Sequence, residues 1–525
     1  MSETLYNGIK LPEEWPPKDI NPYDFQPMRV PYLSNPPDVI DITIGRQLFC
    51  DDFLYDECGM LPMFHRPVKY NGNPLFVPTT KYERNEELPS ATVPKCGGIW
   101  HDPADGLFKM WYMASYFGNM AYATSHDGIH WERPELDVVA GSNLVLPMDI
   151  HLDSGTVWLD KDTADESQRF KMLIREPNRP DNGHFPALMF TSADGIHWSK
   201  PVQTGDMDDR STMFYNPFRR KWVQSIRSWI SPRRNRCRLY WEDDDFLQSG
   251  RWQDGQPVYW TGADIMDRSR YTFPELYNLD ANAYESVMLG FYQILQGPPN
   301  QICERAAEPK LTELVLATSR DGFHFFRPDR TPFIGARREP DSWEYGYVEP
   351  TGGIALLVGD EMWFYYSAYG GDPSRAGLHW SVNGMCGNGA LGLAKLRRDG
   401  FASLRATVEN AWVRTRKVRF TEGKGLYVNA NTSGELLTVE AQDESCHPLP
   451  GFTHADCVGF RGNSTCAEIR WREADFANLK GRPFRLCFKM GRGDLYSFWT
   501  DKNGKGASGG YVAAGGPAFS GSRDM

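Results

Sequence analysis

The sequence lacks net positive charge, because 57 Lys and Arg residues stand against 68 Asp and Glu residues, for a net charge of −11. Nucleic acids and anionic membrane surfaces reward a basic face, so neither is expected as a main partner. No apolar run approaches the length that crosses a bilayer. The first residues show neither the basic nor the apolar region of a signal peptide. We therefore expect a cytoplasmic protein, the alternative being a secreted or periplasmic protein whose leader has been removed.

The sequence also lacks paired cysteines and helical periodicity. Its ten cysteines form no Cys-x-x-Cys pair, a pattern typical of free thiols in a reducing compartment. One group combines cysteine with histidine without any regular zinc spacing, so no metal site is predicted there: Cys446, His447, His454, Cys457 and Cys466. No heptad or long 3.6-residue pattern is present, which argues against a helix bundle.

What the chain has in quantity is aromatic residues, glycine and proline: 17 Trp, 24 Tyr, 29 Phe, 49 Gly and 37 Pro. This composition favours strands separated by turns. A short motif recurs three times, as ATSHDGIHWERP at 123–134, FTSADGIHWSKP at 190–201 and ATSRDGFHFFRP at 317–328. Looser copies surround Asp245 and Asp399. Five units of roughly fifty to eighty residues, each with three or four strands, predict a five-bladed β-propeller in an all-β fold.

The chain divides into four predicted parts. Residues 1–45 form an N-terminal wrapping segment, and residues 46–404 form the propeller. Segments 46–57 and 64–76 precede the first blade and supply a closing strand. Residues 405–500 alternate strands with Gly and Asn turns, which predicts a small C-terminal antiparallel β-sandwich. Residues 501–525 are rich in Gly, Ser and Ala and are expected to form a flexible tail.

The repeated motif predicts a structural turn and not a catalytic Asp–His pair. Its Asp can accept backbone N–H groups within the turn, and its Gly can adopt a positive φ. Three equivalent copies on three blades cannot all be one active site. His130, His197 and His324 are therefore expected to be surface turn residues. The motif is similar to the Asp-box hairpin of sialidase-type propellers, with the Gly one position earlier.

Candidate chemistry lies where the innermost strands converge on the propeller axis. Four carboxylates occupy matching positions on successive blades: Asp153, Asp209, Glu275 and Glu349. Two carboxyl groups with different pKa values are what cleavage of a glycosidic bond requires. The alternative is that some of them accept N–H groups and close inner-strand turns.

Other residues are candidates for substrate binding. Arg175, Arg210 and Arg227 could orient the carboxylates or bind an acidic group. Trp100, Trp158 and Trp229 could stack on a sugar ring, the alternative being that they pack in the core. A basic run is expected to be a solvated loop and strand edge: Arg233, Arg234, Arg236 and Arg238.

Several segments resemble the five-bladed-propeller glycoside hydrolases of families 32, 43, 68 and 117, and in particular a family-32-like branch. They include RQLFCDDFL, HRPVKYNGNPL, KMWY followed by ATSHDGIHW, DRSTMFYNPFRRKWVQSIR, and LYVNA, GFTHADC, GRPFRLCF and DLYSF in the C-terminal part. The resemblance covers roughly residues 45–500 and implies an Asp on blade one, an Asp on blade two and a Glu on blade three.

The chain matches this pattern only in part. Asp153 suits blade two, whereas blade three offers Asp209 and Arg210 in place of the Glu. Blade one lacks the Asn-Asp-Pro-Asn signature, and its HDPAD at 101–105 lies at the outer end of a strand. These departures count against fructosidase activity and leave the acid and base unassigned, with Asp52 as an outside candidate.

The resemblance and the candidate residues together predict a glycoside hydrolase, exo-acting on an oligo- or polysaccharide. One alternative is a glycoside phosphorylase in which Arg175, Arg210 and Arg227 hold phosphate. Another is a non-catalytic carbohydrate-binding propeller. A sialidase-like enzyme is disfavoured, since that architecture normally has six blades. No cofactor is required, although a structural Ca²⁺ on the axis would be compatible with this fold, as would a homo-oligomer formed through the sandwich.

Overall fold

The computed structural model describes residues 3–95, 97–177, 185–230 and 235–525. In these residues the chain is mostly β. Its two α-helices, Pro31–Ser34 and Asn300–Ala306, are short. Single 3₁₀ turns occur at Glu166–Gln168, Gln248–Gly250, Pro373–Arg375, Gly384–Cys386 and Phe476–Leu479. Neither described helix has the length and apolar character that would let it pass through a membrane.

Five antiparallel sheets follow one another along the chain. Sheet 1 contains Thr92–Val93, Ile99–Asp102, Leu107–Ala114 and Asn119–Ser125. Sheet 2 contains Ser154–Leu159, Phe170–Arg175, Pro186–Ser192 and Val202–Asp206. Sheet 3 contains Thr212–Asn216, Lys221–Ile230, Asn235–Asp243 and Val258–Gly262. Sheet 4 contains Glu275–Glu285, Val287–Gly297, Leu311–Ser319 and Tyr511–Val512. Sheet 5 contains Gly346–Pro350, Leu356–Val358, Glu361–Tyr369, Gly389–Arg397 and Val68–Lys69.

Two further sheets combine strands from both ends of the chain. Sheet 6 contains Gln47–Leu48, Leu61–Phe64, Ala402–Ala406, Leu426–Asn431, Asn463–Ile469 and Gly493–Thr500. Sheet 7 contains Tyr55–Cys58, Ala411–Thr415, Thr438–Gln442 and Arg485–Met490. Ile40–Asp41 pairs in parallel with Val418–Arg419. Apolar side chains of both sheets, among them Val428 and Phe488, share one buried core.

Adjacent sheets among the first five are joined by hydrogen bonds. The bonds run from Val157 N to Gly97 O (2.6 Å), Arg210 N to Ser154 Oγ (3.1 Å), Thr212 Oγ1 to Leu279 O (3.2 Å), Thr312 Oγ1 to Val348 O (2.6 Å) and Ile99 N to Gly352 O (3.2 Å). The last of these links sheet 5 to sheet 1. Gly98 has φ +115°, and a Cβ there would lie 2.5 Å from the Val157 carbonyl oxygen, so this close approach requires glycine.

Two structural features differ from the sequence-based expectation. Residues 501–525 do not form a free tail, because Tyr511–Val512 pairs with Glu275–Glu285 in sheet 4 and Val512 is fully buried. The segment 47–64 contributes to sheets 6 and 7, so the strands of the predicted sandwich are not confined to residues 405–500. Both pairings join residues hundreds of positions apart, which local composition does not reveal.

Candidate active site

The repeated motif forms the predicted turn at the end of a strand in sheets 1, 2 and 4. Asp194 Oδ1 accepts the backbone N–H groups of Ile196 and His197, each at 2.8 Å. Its other oxygen lies 2.7 Å from His197 Nδ1. The turns at Asp127 and Asp321 repeat this geometry within 0.1 Å. The Asp–His pair therefore closes a turn, and its three separate copies do not converge on one site.

Each turn is also bonded to a neighbouring sheet. Trp111 of sheet 1 donates its indole N–H to Gly195 O at 2.7 Å. Tyr365 of sheet 5 donates to Gly128 O at 2.6 Å. In the third copy, Trp260 of sheet 3 donates to the carbonyl of Phe323, also at 2.7 Å. The motif thus connects the strand that it ends to a strand of a neighbouring sheet.

The third copy differs from the prediction in its exposure. His130 and His197 are exposed, but His324 is buried and its carbonyl accepts the Tyr32 hydroxyl at 3.1 Å. The N-terminal segment covers this turn, since Trp15 also packs edge-on against His324. The prediction that all three histidines lie at the surface is therefore wrong for His324.

Asp153 lies immediately before the first strand of sheet 2, Ser154–Leu159. Its carboxylate is 3.3 Å from the Nζ atom of Lys95, which is buried. Lys95 adopts a positive φ of 43°, an uncommon conformation for a residue with a side chain. Its ammonium group also lies 4.1 Å from the centre of the Tyr116 ring. A strained, buried lysine is therefore paired with the carboxylate that the sequence singled out.

Asp209 precedes the first strand of sheet 3 and forms an ion pair with Arg227. Its neighbour Asp208, which no sequence pattern singled out, lies 3.0 Å from the same guanidinium. Asp208 also accepts the indole N–H of Trp229 at 3.1 Å. The guanidinium of Arg227 lies 4.2 Å from the centre of the Trp229 ring. The adjacent Asp-Asp pair in the sequence is the only local signal for this group.

Glu275 begins the first strand of sheet 4 and is bound twice by Arg236. The backbone N–H of Arg236 donates at 3.0 Å and its guanidinium at 2.7 Å. Arg236 also lies 4.7 Å from the centre of the Trp229 ring. Because Arg227 contacts the same ring, Trp229 connects the Glu275–Arg236 pair with the Asp209–Arg227 pair. Burial lowers the pKa of Arg227. The Asp153 carboxylate is close enough to act on the Arg227 pKa in the opposite direction.

The expectation of a solvated basic run is wrong for the two arginines that the structure describes. Arg236 is largely buried against Glu275. Arg238 is fully buried and donates to the carbonyl oxygens of Arg210 and Tyr277. Arg233 and Arg234 lie outside the described residues.

Glu349 is brought to the same region but is inaccessible. It lies on the first strand of sheet 5, where its Oε1 is 3.4 Å from Arg210 Nη1. Tyr369 donates its hydroxyl to Glu349 Oε2 at 3.0 Å. Arg210 adopts a positive φ of 60° and binds the Gln293 side chain at 2.8 Å. Through these contacts Arg210 joins sheets 3, 4 and 5.

Three other predicted binding residues have structural contacts instead. Trp100 and Trp158 are buried with ring centres 4.7 Å apart, and Trp158 also packs on Trp222. Arg175 donates to the backbone carbonyls of Glu176 and Met207, which supports the loop leading to Asp208. Burial leaves these two indoles no exposed face for a sugar ring. Of the three predicted tryptophans, only Trp229 lies beside the carboxylates.

Lys310 and three tyrosines complete the centre, and no motif in the sequence marks them. Lys310 Nζ lies 3.1 Å from the Tyr277 hydroxyl. The Tyr347 hydroxyl is 3.3 Å from Tyr277 and 3.4 Å from Tyr116. Burial would raise the pKa of Tyr277, but Lys310, Arg236 and the other neighbouring cations outweigh it and lower this pKa to about 7.

The residues at this centre do not fit a Ca²⁺ site. Calcium takes six to eight oxygen ligands, whereas Asp153, Asp209, Glu275 and Glu349 are each paired with a lysine or arginine. Across the described part of the chain, no group of three or more His, Cys, Asp and Glu residues is arranged to hold a metal ion. That statement includes the Cys446–Cys466 region, where His454 Nδ1 lies 3.0 Å from Thr438 Oγ1.

Comparison with known proteins gives distant relationships. No family model matches the chain. The ABC transporter patM of Penicillium expansum is 23% identical over 339 residues, a match that covers 59% of this chain and 20% of the transporter. The chain therefore spans about a fifth of the length of that curated relative.

Solved structures with a similar arrangement include carbohydrate-active enzymes. An N-acetylgalactosamine deacetylase from F. plautii, in complex with blood group B trisaccharide, is 13% identical, with 66% of this chain and 96% of that one covered and a TM-score of 0.41. The β-1,2-mannobiose phosphorylase of Listeria innocua is 12% identical, with coverages of 63% and 96% and a TM-score of 0.41. A family-43 arabinoxylan arabinofuranohydrolase from Bacillus subtilis is 10% identical, with coverages of 82% and 99% and a TM-score of 0.35. None of these three matches supports the narrower resemblance to a family-32-like branch.

Proposed function

We propose that this chain cleaves a glycosidic bond in an oligo- or polysaccharide, and that sheets 1 to 5 are the blades of a five-bladed propeller around its site. The observation that carries the proposal is the grouping of three partly exposed carboxylates, Asp153, Asp209 and Glu275, around the Arg227–Trp229–Arg236 cluster. Their side chains are 15%, 28% and 18% exposed, so a substrate can contact each one.

Glycosidic cleavage requires two carboxyl groups with different roles. One protonates the leaving oxygen, while the other activates water or attacks the anomeric carbon. Asp153, Asp209 and Glu275 supply the carboxyl groups for these roles, and Asp208 adds a fourth beside Trp229. Glu349 is excluded from direct contact with substrate because it is fully buried, so its part is to hold Arg210.

An exo-acting enzyme needs a pocket that is closed on one side. The segment with 3₁₀ turns at Pro373–Arg375 and Gly384–Cys386 packs against the Asn300–Ala306 helix, since Asn383 Nδ2 donates to Glu304 O at 2.8 Å. Burial raises the pKa of Cys386 to about 11, while Lys310, Lys95 and Tyr116 around it act in the opposite direction. This segment therefore packs directly on the centre and supports a bounded site, as exo-action requires.

A second candidate function is supported by the number of cations. Lys95, Arg210, Arg227, Arg236 and Lys310 all lie at the centre, and such a group suits a phosphate or an acidic sugar. A glycoside phosphorylase would use them to bind inorganic phosphate as the attacking group. A carbohydrate-binding protein without activity would use the same centre to bind a sugar without turnover.

One experiment distinguishes these functions. Purified protein is incubated with a panel of aryl glycosides and oligosaccharides, with and without inorganic phosphate, and the products are separated. A hydrolase releases reducing sugar in both conditions, whereas a phosphorylase forms sugar 1-phosphate only when phosphate is present. Binding of a panel sugar without any product in either condition would contradict the proposed enzyme.

A further inference from the structure

Three tyrosine hydroxyl groups form a row across the centre of the molecule. Tyr277 lies on the first strand of sheet 4, Tyr347 on the first strand of sheet 5, and Tyr116 just after the third strand of sheet 1 in chain order. Their hydroxyl oxygens are 3.3 Å and 3.4 Å apart. All three rings are buried. The row connects the Lys310 side of the site with the Lys95–Asp153 side.

The direction of the hydrogen bonds distinguishes Tyr277 from the other two. Its oxygen accepts one bond from the Lys310 ammonium at 3.1 Å and a second from the Tyr347 hydroxyl at 3.3 Å. A phenolate can only accept hydrogen bonds, whereas a phenol also donates. The contacts of Tyr277 therefore match those of an ionised side chain.

The charges that face Tyr277 come from several sheets. Lys310 and Arg236 lie 5.0 Å from the centre of its ring, and Arg210 lies at 6.0 Å. Arg227 also lowers the pKa of Tyr277. On its own strand, Glu275 is already paired with Arg236. Burial raises the pKa of Tyr347 and of Tyr116 well above the ordinary value, so these two stay protonated where Tyr277 ionises.

We propose that Tyr277 is the anionic proton acceptor of this site, and that Tyr347 and Tyr116 relay the proton to it. This inference rests on the proposed function and names the group that finally receives the proton, after a carboxylate of the site has taken it from the attacking water or sugar hydroxyl. That proton passes to Tyr116, the proton of Tyr116 passes to Tyr347, and the proton of Tyr347 passes to the Tyr277 oxygen. Tyr277 becomes neutral, and it returns the proton by the same row when the products leave.

The test begins with a titration that needs no substrate. Ionised tyrosine has its own ultraviolet absorbance, so the whole protein is titrated from about pH 5 to about pH 9 and the tyrosinate signal is recorded. We expect one tyrosinate to form with a midpoint near 7. Tyr277→Phe should abolish this titration, and Tyr347→Phe should move its midpoint to higher pH because a hydrogen bond to the phenolate is lost. Tyr345→Phe is the matched control, since the Tyr345 hydroxyl contacts Glu308 and not the row.

Activity then tests the relay. With the best substrate of the panel, Tyr277→Phe should lower kcat by about a hundredfold with little change in KM, which is the usual scale for losing a general base. Tyr345→Phe should leave both constants unchanged. The inference is overturned if no tyrosinate forms below about pH 9, or if Tyr277→Phe retains full kcat. Because the titration uses no substrate, its failure is separate from a failure to find glycoside cleavage.

Discussion

Arg210 and Glu349 form an ion pair at 3.4 Å in which neither side chain is more than 1% exposed. Arg210 comes from the start of sheet 3 and Glu349 from sheet 5, so the pair joins two sheets that sheet 4 separates along the chain. Gln293 of sheet 4 accepts a further bond from Arg210 at 2.8 Å. One guanidinium therefore holds three sheets at the centre of the molecule.

Breaking this pair should destabilise the protein strongly. Glu349→Gln keeps the shape of the side chain but leaves the Arg210 charge buried without its carboxylate. We expect the free energy of unfolding to fall by about 3–5 kcal/mol, as when one partner of a buried pair is removed. Chemical denaturation of both proteins measures the difference.

The matched control is the exposed pair of Arg337 and Glu339, whose side chains are 60% and 62% exposed. Glu339→Gln should change the free energy of unfolding by less than about 1 kcal/mol. Equal effects of the two substitutions would contradict the role given to Arg210 and Glu349.

Substitutions of the three partly exposed carboxylates should lower activity in the proposed enzyme. Asp153→Asn, Asp209→Asn and Glu275→Gln remove single charges beside the proposed substrate, and we expect at least two of them to lower kcat by about 10²- to 10⁴-fold. Thermal melts check that each variant still folds. Asp137→Asn serves as a control, because Asp137 is exposed and contacts only a turn histidine among the described residues. Full turnover in all three variants would rule out the proposed site.

The Asp194–His197 turn of sheet 2 should make the free energy of unfolding depend on pH in acidic solution. Burial opposes ionisation of Asp194, but its bonds from His197 and Ile196 prevail and lower its pKa to about 2. A carboxyl group whose pKa is lowered in the folded state stabilises the fold at pH values above its ordinary pKa, which is near 4. This stabilisation is lost as the pH falls toward 2. Because the group is largely exposed, we expect about 1 kcal/mol.

Melting curves of the wild type and Asp194→Asn across this range measure that contribution. The variant should melt at a lower temperature at neutral pH, and the two curves should converge as the solution approaches pH 2. A constant difference at all pH values would show that the Asp194 charge contributes nothing.

The bond from Tyr365 to the Gly128 carbonyl should be worth about 1 kcal/mol, the usual net contribution of a single hydrogen bond. Tyr365→Phe removes only the hydroxyl and keeps the buried ring. We expect the free energy of unfolding to fall by that amount with no change in the secondary structure measured by circular dichroism. A variant as stable as the wild type would show that the carbonyl finds another donor.

Local pattern was enough to predict the repeated part of the fold. The Thr-Ser-x-Asp-Gly motif marks a turn because Asp acceptance and a positive φ at Gly are both local properties. It also singled out Asp153, Asp209 and Glu275 as candidates by their positions relative to the repeats. The structure pairs them with Lys95, Arg227 and Arg236, respectively, and the last two pairs meet at Trp229.

Residues joined only by tertiary contacts could not be predicted in this way. Tyr277 lies in ordinary strand sequence and Lys310 just before a strand, and the significance of Tyr277 depends on the charges of Lys310, Arg236 and Arg227 around it. The strand Tyr511–Val512 lies in a Gly-rich segment that reads as a linker, yet it pairs with Glu275–Glu285. Trp100 and Trp158 show the converse error, since their exposure depends on which neighbours cover them.

From the bonded turns we expect the molecule to divide into two parts that open separately. Through Tyr365, Trp111 and Trp260, they connect sheet 5 to sheet 1, sheet 1 to sheet 2, and sheet 3 to sheet 4. In the described residues, no Asp–His turn links sheets 2 and 3 or sheets 4 and 5, where the connections include the Arg210–Ser154 and Thr312–Val348 bonds. Amide hydrogen exchange should then show two blocks of protection, one formed by sheets 5, 1 and 2 and the other by sheets 3 and 4. The Arg210–Glu349 pair spans both blocks, so its loss should let them open independently.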